Sequence, residues 1–259
     1  MTASSMLILG GTAEAAALAG AARDRFGEAL VVTTSLAGRT RQPGPIPGQV
    51  RSGGFGGPPG LAAYLCGHGI DRLIDATHPF AAGISRAARL ACEMAGVPRL
   101  TLLRPAWRRH PDDRWLEVDS MAEAAAVVGR IARRAWLTVG TGEIGAFTAI
   151  AGVHFLVRLV EPPLAPLPLR CCEVIVGRGP FTLAEERHRL ERHAIDVLVC
   201  KASGGTATEA KLVAARELGL PVVMLRRPPP EPGTAVETIA AALDWLAAPT
   251  LFPARGEVS

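Results

Sequence analysis

A short glycine-rich segment near the start of the chain has the composition of a phosphate-binding loop. An apolar run typical of a buried strand ends at Leu9, and Gly10, Gly11 and Thr12 follow it directly. An alanine-rich stretch typical of a helix comes next. The dinucleotide fingerprint G-x-G-x-x-G/A occupies such a strand-to-helix turn; Gly10 and Ala15 match it, and Thr12 stands at the second glycine position. Exposed amides and the helix dipole favour phosphate here, with the threonine hydroxyl as an added donor. The alternative is a tight turn without a ligand.

The segment after the second predicted strand favours NADPH over NADH. An NAD site usually carries an Asp or Glu here that binds the ribose 2′-hydroxyl. Residues 35–41 contain no acidic residue but include Ser35, Gly38, Arg39 and Arg41. Arginine pairs with a 2′-phosphate through two parallel hydrogen bonds, whereas a carboxylate would repel it. We therefore expect Ser35, Gly38 and Arg39 to contact the cofactor; the alternative is that the arginines are solvated loop charges.

Polar residues also crowd the end of a later predicted strand, where Asp75, Thr77 and His78 precede Pro79. Parallel sheets bind ligands at the carboxyl ends of their strands. We expect Thr77, His78 and Pro79 to line the cofactor site. His78 is the candidate catalytic residue, by donating to the cofactor, orienting the substrate or supplying a proton. The alternative is turn chemistry, in which Pro79 fixes a bend and Thr77 or His78 caps the next helix.

Two loops in the second half of the chain have a similar character. A literal G-x-G-x-x-G spans residues 140–145 after a strand, and Lys201 ends a strand before a glycine pair and a helix predicted to begin at Thr206. Such loops can cradle anions. The residues that we assign to the cofactor from these loops are Thr141, Gly142, Lys201, Ser203, Gly204 and Gly205. The alternatives are a plain turn at the first loop and a salt bridge to a neighbour for Lys201.

The elements that position these loops alternate between short apolar runs and longer amphipathic runs, which indicates βαβ units. The fold class predicted is α/β, with two doubly wound, Rossmann-like parallel-sheet domains facing a cleft. The domains are expected at residues 1–134 and 135–250, with a tail at 251–259. A final helix is predicted over residues 234–247, and the pattern leaves open which domain it packs against.

Composition and missing motifs exclude several classes. The net charge is +4 with a pI of about 9.1, but arginine is scattered, so nucleic acid is not an expected partner. No apolar run is long enough to span a membrane. The five cysteines form no CxxC motif, which favours reduced thiols in the cytoplasm. The sequence has no P-loop, no metal-binding motif and no G-x-S-x-G elbow. Nothing in it fixes the number of subunits.

Several segments together resemble the precorrin-6A reductase family of cobalamin biosynthesis. They are ILGGTAEA from Ile8, TTSLAGR from Thr33, GGFGG from Gly53, DATHPFA from Asp75, GRGPFTLAEE from Gly177, KASGGTATEAK from Lys201 and AARELGLPVVMLRRP. The resemblance implies a two-domain α/β fold that binds NADPH and transfers a hydride to a double bond of the tetrapyrrole precorrin-6A, giving precorrin-6B. It also suggests Arg178 as a ligand for a substrate carboxylate, unless that arginine is structural.

Two other functions remain open from the sequence. A non-catalytic NADP-sensing module would share the loops at Gly10 and Ser35, but it would not need the loop-rich segments of the second half. A nucleotide-sugar transferase would also have two α/β domains. Against it, no acidic motif for a metal or base stands at the strand ends apart from Asp75.

Overall fold

A computed structural model describes residues 3–38 and 44–248 of the chain. These residues form two compact units. The first contains the described residues up to Arg104 together with those from Pro229 onward, and the second is Pro105–Pro228. The tail expected at 251–259 lies outside the described residues. No helix in the described ranges is long and apolar enough to cross a membrane.

Strands and helices alternate along much of the chain, as the hydrophobic pattern predicts. The strands are β1 (Ser4–Leu9), β2 (Leu30–Leu36), β3 (Gln49–Ser52), β4 (Arg72–Asp75), β5 (Arg99–Leu102), β6 (Trp115–Val118), β7 (Arg134–Leu137), β8 (His154–Leu159), β9 (Cys172–Val176), β10 (Val197–Lys201), β11 (Val222–Leu225) and β12 (Ala235–Val236). The helices are α1 (Ala13–Phe26), α2 (Pro58–Gly67), α3 (Ala82–Ala95), α4 (Met121–Ile131), α5 (Leu183–Arg192), α6 (Ala210–Glu217) and α7 (Ile239–Ala247).

The first unit is built on a six-stranded parallel sheet in the order β12-β5-β4-β1-β2-β3. The chain runs from β1 outward to β3 and then returns to β4 on the other side of β1. The order therefore reverses between β1 and β4, and in open α/β sheets ligands bind at this switch point, beyond the carboxyl ends of the strands. The loops after Leu9 and Asp75 begin at this point, because these two residues are register partners.

The second unit repeats the same winding, with the order β6-β11-β10-β7-β8-β9. Its switch point lies between β7 and β10. Helices α5 and α6 stand where α2 and α3 stand in the first unit. The position of α1 is different, since a 3-10 segment, Thr141–Phe147, follows β7 in place of an α-helix. The α/β class with two Rossmann-like parallel sheets is thus confirmed.

The division between the units differs from the boundary expected at residues 134 and 135. Strand β6 pairs with β11, so β6 and α4 belong to the second unit although they precede that boundary. In return, β12 pairs with β5, and α7 packs against α1 in the first unit. Each sheet takes its sixth strand from the segment that follows the fifth strand of the other. The hydrophobic pattern of a segment does not indicate which distant strand it pairs with.

The final helix is also shorter than predicted, because residues 235–236 form β12 and α7 begins at Ile239, capped by Thr238. The buried face of α7 carries Ala242 and Leu243, which join the core between the sheet and α1. Small side chains on α1, such as Ala15 and Ala19, are fully buried and allow close packing on the sheet.

We predict that α7 stabilises the first unit mainly through Leu243, which is 9% exposed. Leu243→Ala should lower the free energy of unfolding by about 2–3 kcal/mol, because it removes buried methyl groups and leaves a cavity. The matched control is Asp244→Ala, which breaks an exposed ion pair with Arg25 and should cost less than about 1 kcal/mol. Urea unfolding with amide hydrogen exchange measures both. Lost protection in β10 rather than β1 and β5 would contradict the assignment of α7 to the first unit.

Candidate dinucleotide site at the first switch point

Two glycines shape the turn between β1 and α1, each for a different reason. A Cβ on Gly10 would lie 2.8 Å from Thr34 Cγ2 on the neighbouring strand. Gly11 has open space around it but a φ of 99°, in the region that favours glycine. The Gly10 amide donates to the carbonyl of Ser35 at 2.9 Å. The turn is therefore tied to β2 before it enters the helix.

Thr12 links the two loops of the switch point. Its Oγ1 accepts a hydrogen bond from the Ala15 amide at 3.1 Å as the N-cap of α1, and donates to the Ala76 carbonyl at 2.8 Å. The hydroxyl proton is therefore used within the protein. The sequence assigned it to a phosphate as an extra donor, and the structure corrects that detail, because the nearby Ala76 carbonyl already accepts it. The backbone amide of Thr12 is the donor that remains.

The turn before α1 and the first residues of the helix contain backbone amides without acceptors in the described ranges. Within the described ranges, no hydrogen-bond acceptor faces the amides of Gly11, Thr12, Ala13 or Glu14. They open a 14-residue helix whose dipole adds positive potential. The Glu14 carboxylate would oppose an anion, but Arg104 Nε contacts its Oε1 at 3.0 Å and offsets the charge. This arrangement can accept a phosphate group.

The ends of β2 and β3 form the adjoining wall. Ser35 is buried, and its Oγ accepts a hydrogen bond from Arg51 Nη1 at 2.6 Å. Gly38 is exposed with a φ of 72°. Arg39, which the sequence assigns to the 2′-phosphate, lies outside the described residues. Sequence reasoning missed Arg51, although the GGFGG segment that begins two residues later was one of the motifs that carried the resemblance.

The loop after β4 is organised by Asp75. This carboxylate is 2% exposed, and its Oδ1 accepts from the Thr77 amide at 3.1 Å and the Thr77 hydroxyl at 2.7 Å. No partner for Asp75 Oδ2 is found within the described residues. Helix α3 has Ala81 as its N-cap without a side-chain bond. The alternative in which Thr77 or His78 caps that helix is therefore wrong.

The loop itself sets the tautomer of His78. The Phe80 amide donates to His78 Nδ1 at 3.2 Å, so Nδ1 acts as an acceptor and the neutral ring carries its proton on Nε2. The donor that this ring can offer a ligand is Nε2–H. The Ala81 amide also donates to the His78 carbonyl at 2.7 Å, which holds the turn around Pro79.

In the corresponding loops of the second unit, more of the polar groups already have hydrogen-bond or ion-pair partners within the protein. Lys201 Nζ forms an ion pair with Glu143 Oε1, which confirms the salt-bridge alternative for this lysine. The Ser203 amide donates to the Lys201 carbonyl at 2.7 Å, and the Gly205 amide donates to the Pro105 carbonyl at 3.2 Å. Two donors of the expected anion cradle thus have acceptors already. Thr206–Thr208 is a 3-10 turn, and the helix begins only at Ala210.

The other second-unit assignments lie at the same end of their sheet and differ in exposure. Thr141 and Gly142 are exposed in the 3-10 segment after β7, while Gly204 is buried in the loop after β10. Arg178 is exposed in the loop after β9. The described first-unit residues lie in or beside loops at the carboxyl edge of the first sheet, and the second-unit residues lie in or beside the loops after β7, β9 and β10 at the same edge of the second sheet. Their roles as ligands remain predictions.

A buried charge cluster lies beneath the loops of the second unit. Arg158 Nη1 contacts Glu186 Oε1 at 2.6 Å, and the Arg158 guanidinium stacks over Phe181 at 4.1 Å. Burial lowers the pKa of Arg158, with the neighbouring Glu186 charge acting in the opposite direction. Burial likewise lowers the pKa of Lys211, which is 4% exposed and lies 5.4 Å from the Trp107 ring. Burial also raises the pKa of the Cys200 thiol. These groups support the loops and are not accessible donors.

No group of His, Cys, Asp and Glu suited to a metal ion occurs in the described part of the chain.

Comparisons with known proteins place this geometry in a family. The family model described as Precorrin-6x reductase CbiJ/CobK matches residues 5–247. The precorrin-6A reductase of Rhodococcus erythropolis is 45% identical over 242 residues, covering 93% of this chain and 96% of the relative. The cobalt-precorrin-6A reductase of Salmonella typhimurium is 29% identical, covering 87% of this chain and 88% of the relative. A solved structure of CobK precorrin-6A reductase is 40% identical, with a TM-score of 0.89 over 94% of this chain and 96% of the other.

We predict that the Thr12 hydroxyl holds the switch point together. Thr12→Val keeps the shape but loses both the N-cap bond and the bond to Ala76, so the free energy of unfolding should fall by about 1–2 kcal/mol. Thr12→Ser keeps both bonds and should stay within about 0.5 kcal/mol of the parent chain. Thermal and urea unfolding measure the difference. Equal stability of the valine variant and the parent chain would show that the bonds contribute nothing.

Proposed function

The chain belongs to the Precorrin-6x reductase CbiJ/CobK family, and we propose that it reduces metal-free precorrin-6A to precorrin-6B with NADPH. The observation that carries this proposal is the row of unsatisfied amides from Gly11 to Glu14 at the first switch point, at the start of α1. A dinucleotide pyrophosphate fits such a row. Family membership supports the tetrapyrrole as substrate.

The residues around the loop fit a dinucleotide with a 2′-phosphate. Residues 35–41 carry no acidic side chain that would repel it. Ser35, Gly38 and Arg39 are the proposed contacts for the adenosine end. The Ser35 hydroxyl accepts from Arg51, so its own hydrogen remains available for a phosphate oxygen. The amides from Gly11 to Glu14 would hold the pyrophosphate.

The loop after β4 is proposed to line the rest of the site. When bound, NADPH supplies the hydride, and the protein chiefly supplies position. Thr77 and Pro79 form the wall, with the Thr77 hydroxyl already fixed on Asp75. We propose that His78 donates to a ligand from Nε2–H, since Nδ1 accepts from the Phe80 amide. This geometry favours orientation of a ligand over supply of the proton.

The loops of the second unit are proposed as further cofactor and substrate contacts. The assigned cofactor residues are Thr141, Gly142, Lys201, Ser203, Gly204 and Gly205. For Lys201 to bind an anion it would have to exchange Glu143 for the ligand, since the two side chains form an ion pair. Arg178 is exposed and is the proposed partner of a substrate carboxylate.

The metal-free substrate is proposed because of the pattern of similarity. The chain is 45% identical to a relative named precorrin-6A reductase and 29% identical to one named cobalt-precorrin-6A reductase, each over most of its length. A central cobalt ion changes the charge and the ring-nitrogen chemistry of the macrocycle. A site adapted to the metal-free ring should therefore discriminate between the two.

We predict that purified protein oxidises NADPH only when a tetrapyrrole acceptor is present. Under anaerobic conditions, loss of the reduced-nicotinamide absorbance should require metal-free precorrin-6A, with a product two hydrogens heavier by mass spectrometry. Cobalt-precorrin-6A should react more slowly. Tight NADPH binding without oxidation by either substrate would instead favour the NADP-sensing module, and failure to bind NADPH would overturn the proposal.

We also predict that His78 acts as a donor through Nε2. His78→Gln places an N–H donor near the same position and should retain activity within about tenfold, whereas His78→Phe has no donor and should lose about 10- to 100-fold in kcat/KM. The measurement is steady-state kinetics across pH. If the glutamine variant loses as much as the phenylalanine variant, with a changed pH profile, supply of a proton by His78 becomes the better assignment.

A further inference from the structure

The glycine-rich GGFGG segment (Gly53–Gly57) has no role in the function proposed so far. It follows β3 directly, at the same end of the sheet as the amide row after β1. In the structure this segment surrounds the side chain of Arg51. The carbonyls of Gly53 and Gly54 accept from Arg51 Nη1 and Nη2, each at 3.1 Å. The segment is therefore a holder for one guanidinium group.

Aromatic rings complete the holder. The Arg51 Cζ lies 3.8 Å from the centroid of the Phe55 ring and 5.2 Å from that of Tyr64 on α2. The two rings meet edge to face with centroids 5.2 Å apart, and both pack against the core of the first unit. A Cβ on Gly60 would lie 1.8 Å from the Phe55 carbonyl, so the loop fits this closely against α2 only with glycine there. The guanidinium is thus fixed before any ligand binds.

Among the described residues, no acid offsets the charge of Arg51. Its acceptors are the Ser35 hydroxyl and two carbonyls, and no carboxylate contacts it among the residues that the structure describes. Three of its N–H groups are used in these bonds, which leaves Nε–H and one N–H on Nη2. A fixed and uncompensated arginine with spare donors is suited to an anionic group.

Its position indicates which anion. Ser35 is the last but one residue of β2 and is the register partner of Arg51 on β3. The carboxyl end of β2 is where dinucleotide folds recognise the ribose 2′ position. Arg51 donates to the Ser35 hydroxyl at 2.6 Å, so the two side chains present a cation and a hydroxyl donor at one place.

We propose that Arg51, held by the GGFGG segment, determines the preference for NADPH by binding its 2′-phosphate together with Ser35. This inference rests on the proposed function and adds a specificity residue that the sequence pattern did not reveal. Phe55 is a positioning residue in this scheme, since it acts by orienting the guanidinium. In this scheme Arg39 either adds to the binding of the same 2′-phosphate or does not contact the cofactor.

The test compares the two dinucleotides in the full-length protein. Arg51→Gln should lower kcat/KM and binding affinity for NADPH by about 10- to 100-fold, as expected for one charge-assisted contact, while NADH values stay within about twofold. Arg51→Lys should fall between, because a lysine keeps the charge but not the planar fork. The control is Arg23→Gln, an equal change of charge on the last turn of α1, at the other end of that helix. It should leave both cofactors unaffected.

A fragment assay isolates the phosphate itself. Adenosine 2′,5′-bisphosphate should bind the parent chain more tightly than 5′-AMP, and Arg51→Gln should abolish that difference in calorimetric titration. Phe55→Leu should reduce the difference in affinity, whereas Phe55→Tyr, which keeps an aromatic ring, should preserve it. Unfolding midpoints show whether each variant is folded, and the lysine and Phe55 variants keep the test informative if the glutamine variant is not.

Each outcome separates this inference from the function on which it rests. If the parent chain prefers NADPH and Arg51→Gln retains that preference, or loses NADPH and NADH equally, the role of Arg51 is wrong and the reductase proposal stands. If Arg39→Ala alone abolishes the preference, the phosphate belongs to Arg39. If the parent chain binds neither dinucleotide, both proposals fail.

Discussion

The hydrogen bond from Thr12 Oγ1 to the Ala76 carbonyl is the contact on which the candidate site depends. A doubly wound sheet separates two loops at its switch point, and a ligand can be bound there only if both loops hold their positions. The Thr12 hydroxyl accepts from the Ala15 amide in the first turn of α1 at 3.1 Å and donates to the Ala76 carbonyl in the loop after β4 at 2.8 Å. These two bonds fix the helix and the loop relative to each other. A glycine at this position would allow closer approach of a phosphate but would lose this side-chain link between the loops. The departure from the glycine fingerprint therefore has a structural cause.

The two units show how one winding order can serve different purposes. Both sheets reverse at corresponding strands, yet within the described ranges only the first has an α-helix with unsatisfied amides after its central strand. In the second, a 3-10 segment follows β7, and Glu143 from that segment neutralises Lys201. A short 3-10 turn offers little dipole, and a paired lysine offers little net charge. The literal G-x-G-x-x-G at residues 140–145 thus lacks the helix that makes such a motif bind phosphate, whereas the imperfect motif at Gly10 has it.

The local hydrophobic pattern predicted the fold class, most strands and the first switch point. A buried parallel strand and a capped helix can be recognised from residues that are neighbours in the sequence. For example, a threonine followed three residues later by a glutamate predicts a capping box, and Thr182 and Glu185 form one at the start of α5. Strands β6, β9 and β12 were missed, since a short edge strand is defined by its partner and not by its own sequence. Arg51 was missed for a related reason. Its importance comes from the Phe55 ring and two carbonyls that surround it, and an arginine in a short polar strand gives no such sign.

Charge pairing favours the first switch point over the second as the proposed anion site. Glu14 is matched by Arg104, so the acid nearest the amide row is offset, and Arg51 adds a positive charge without an acidic partner in the described part of the chain. At the second switch point the charges pair, and beneath it the Arg158–Glu186 contact is buried. A buried pair costs desolvation and is already satisfied, so it has little to gain from a ligand. An uncompensated arginine held by neutral groups gains most when an anion arrives. The fold thus keeps its unsatisfied positive charge and its unsatisfied amides on the same sheet edge, as a dinucleotide with phosphates at two places requires.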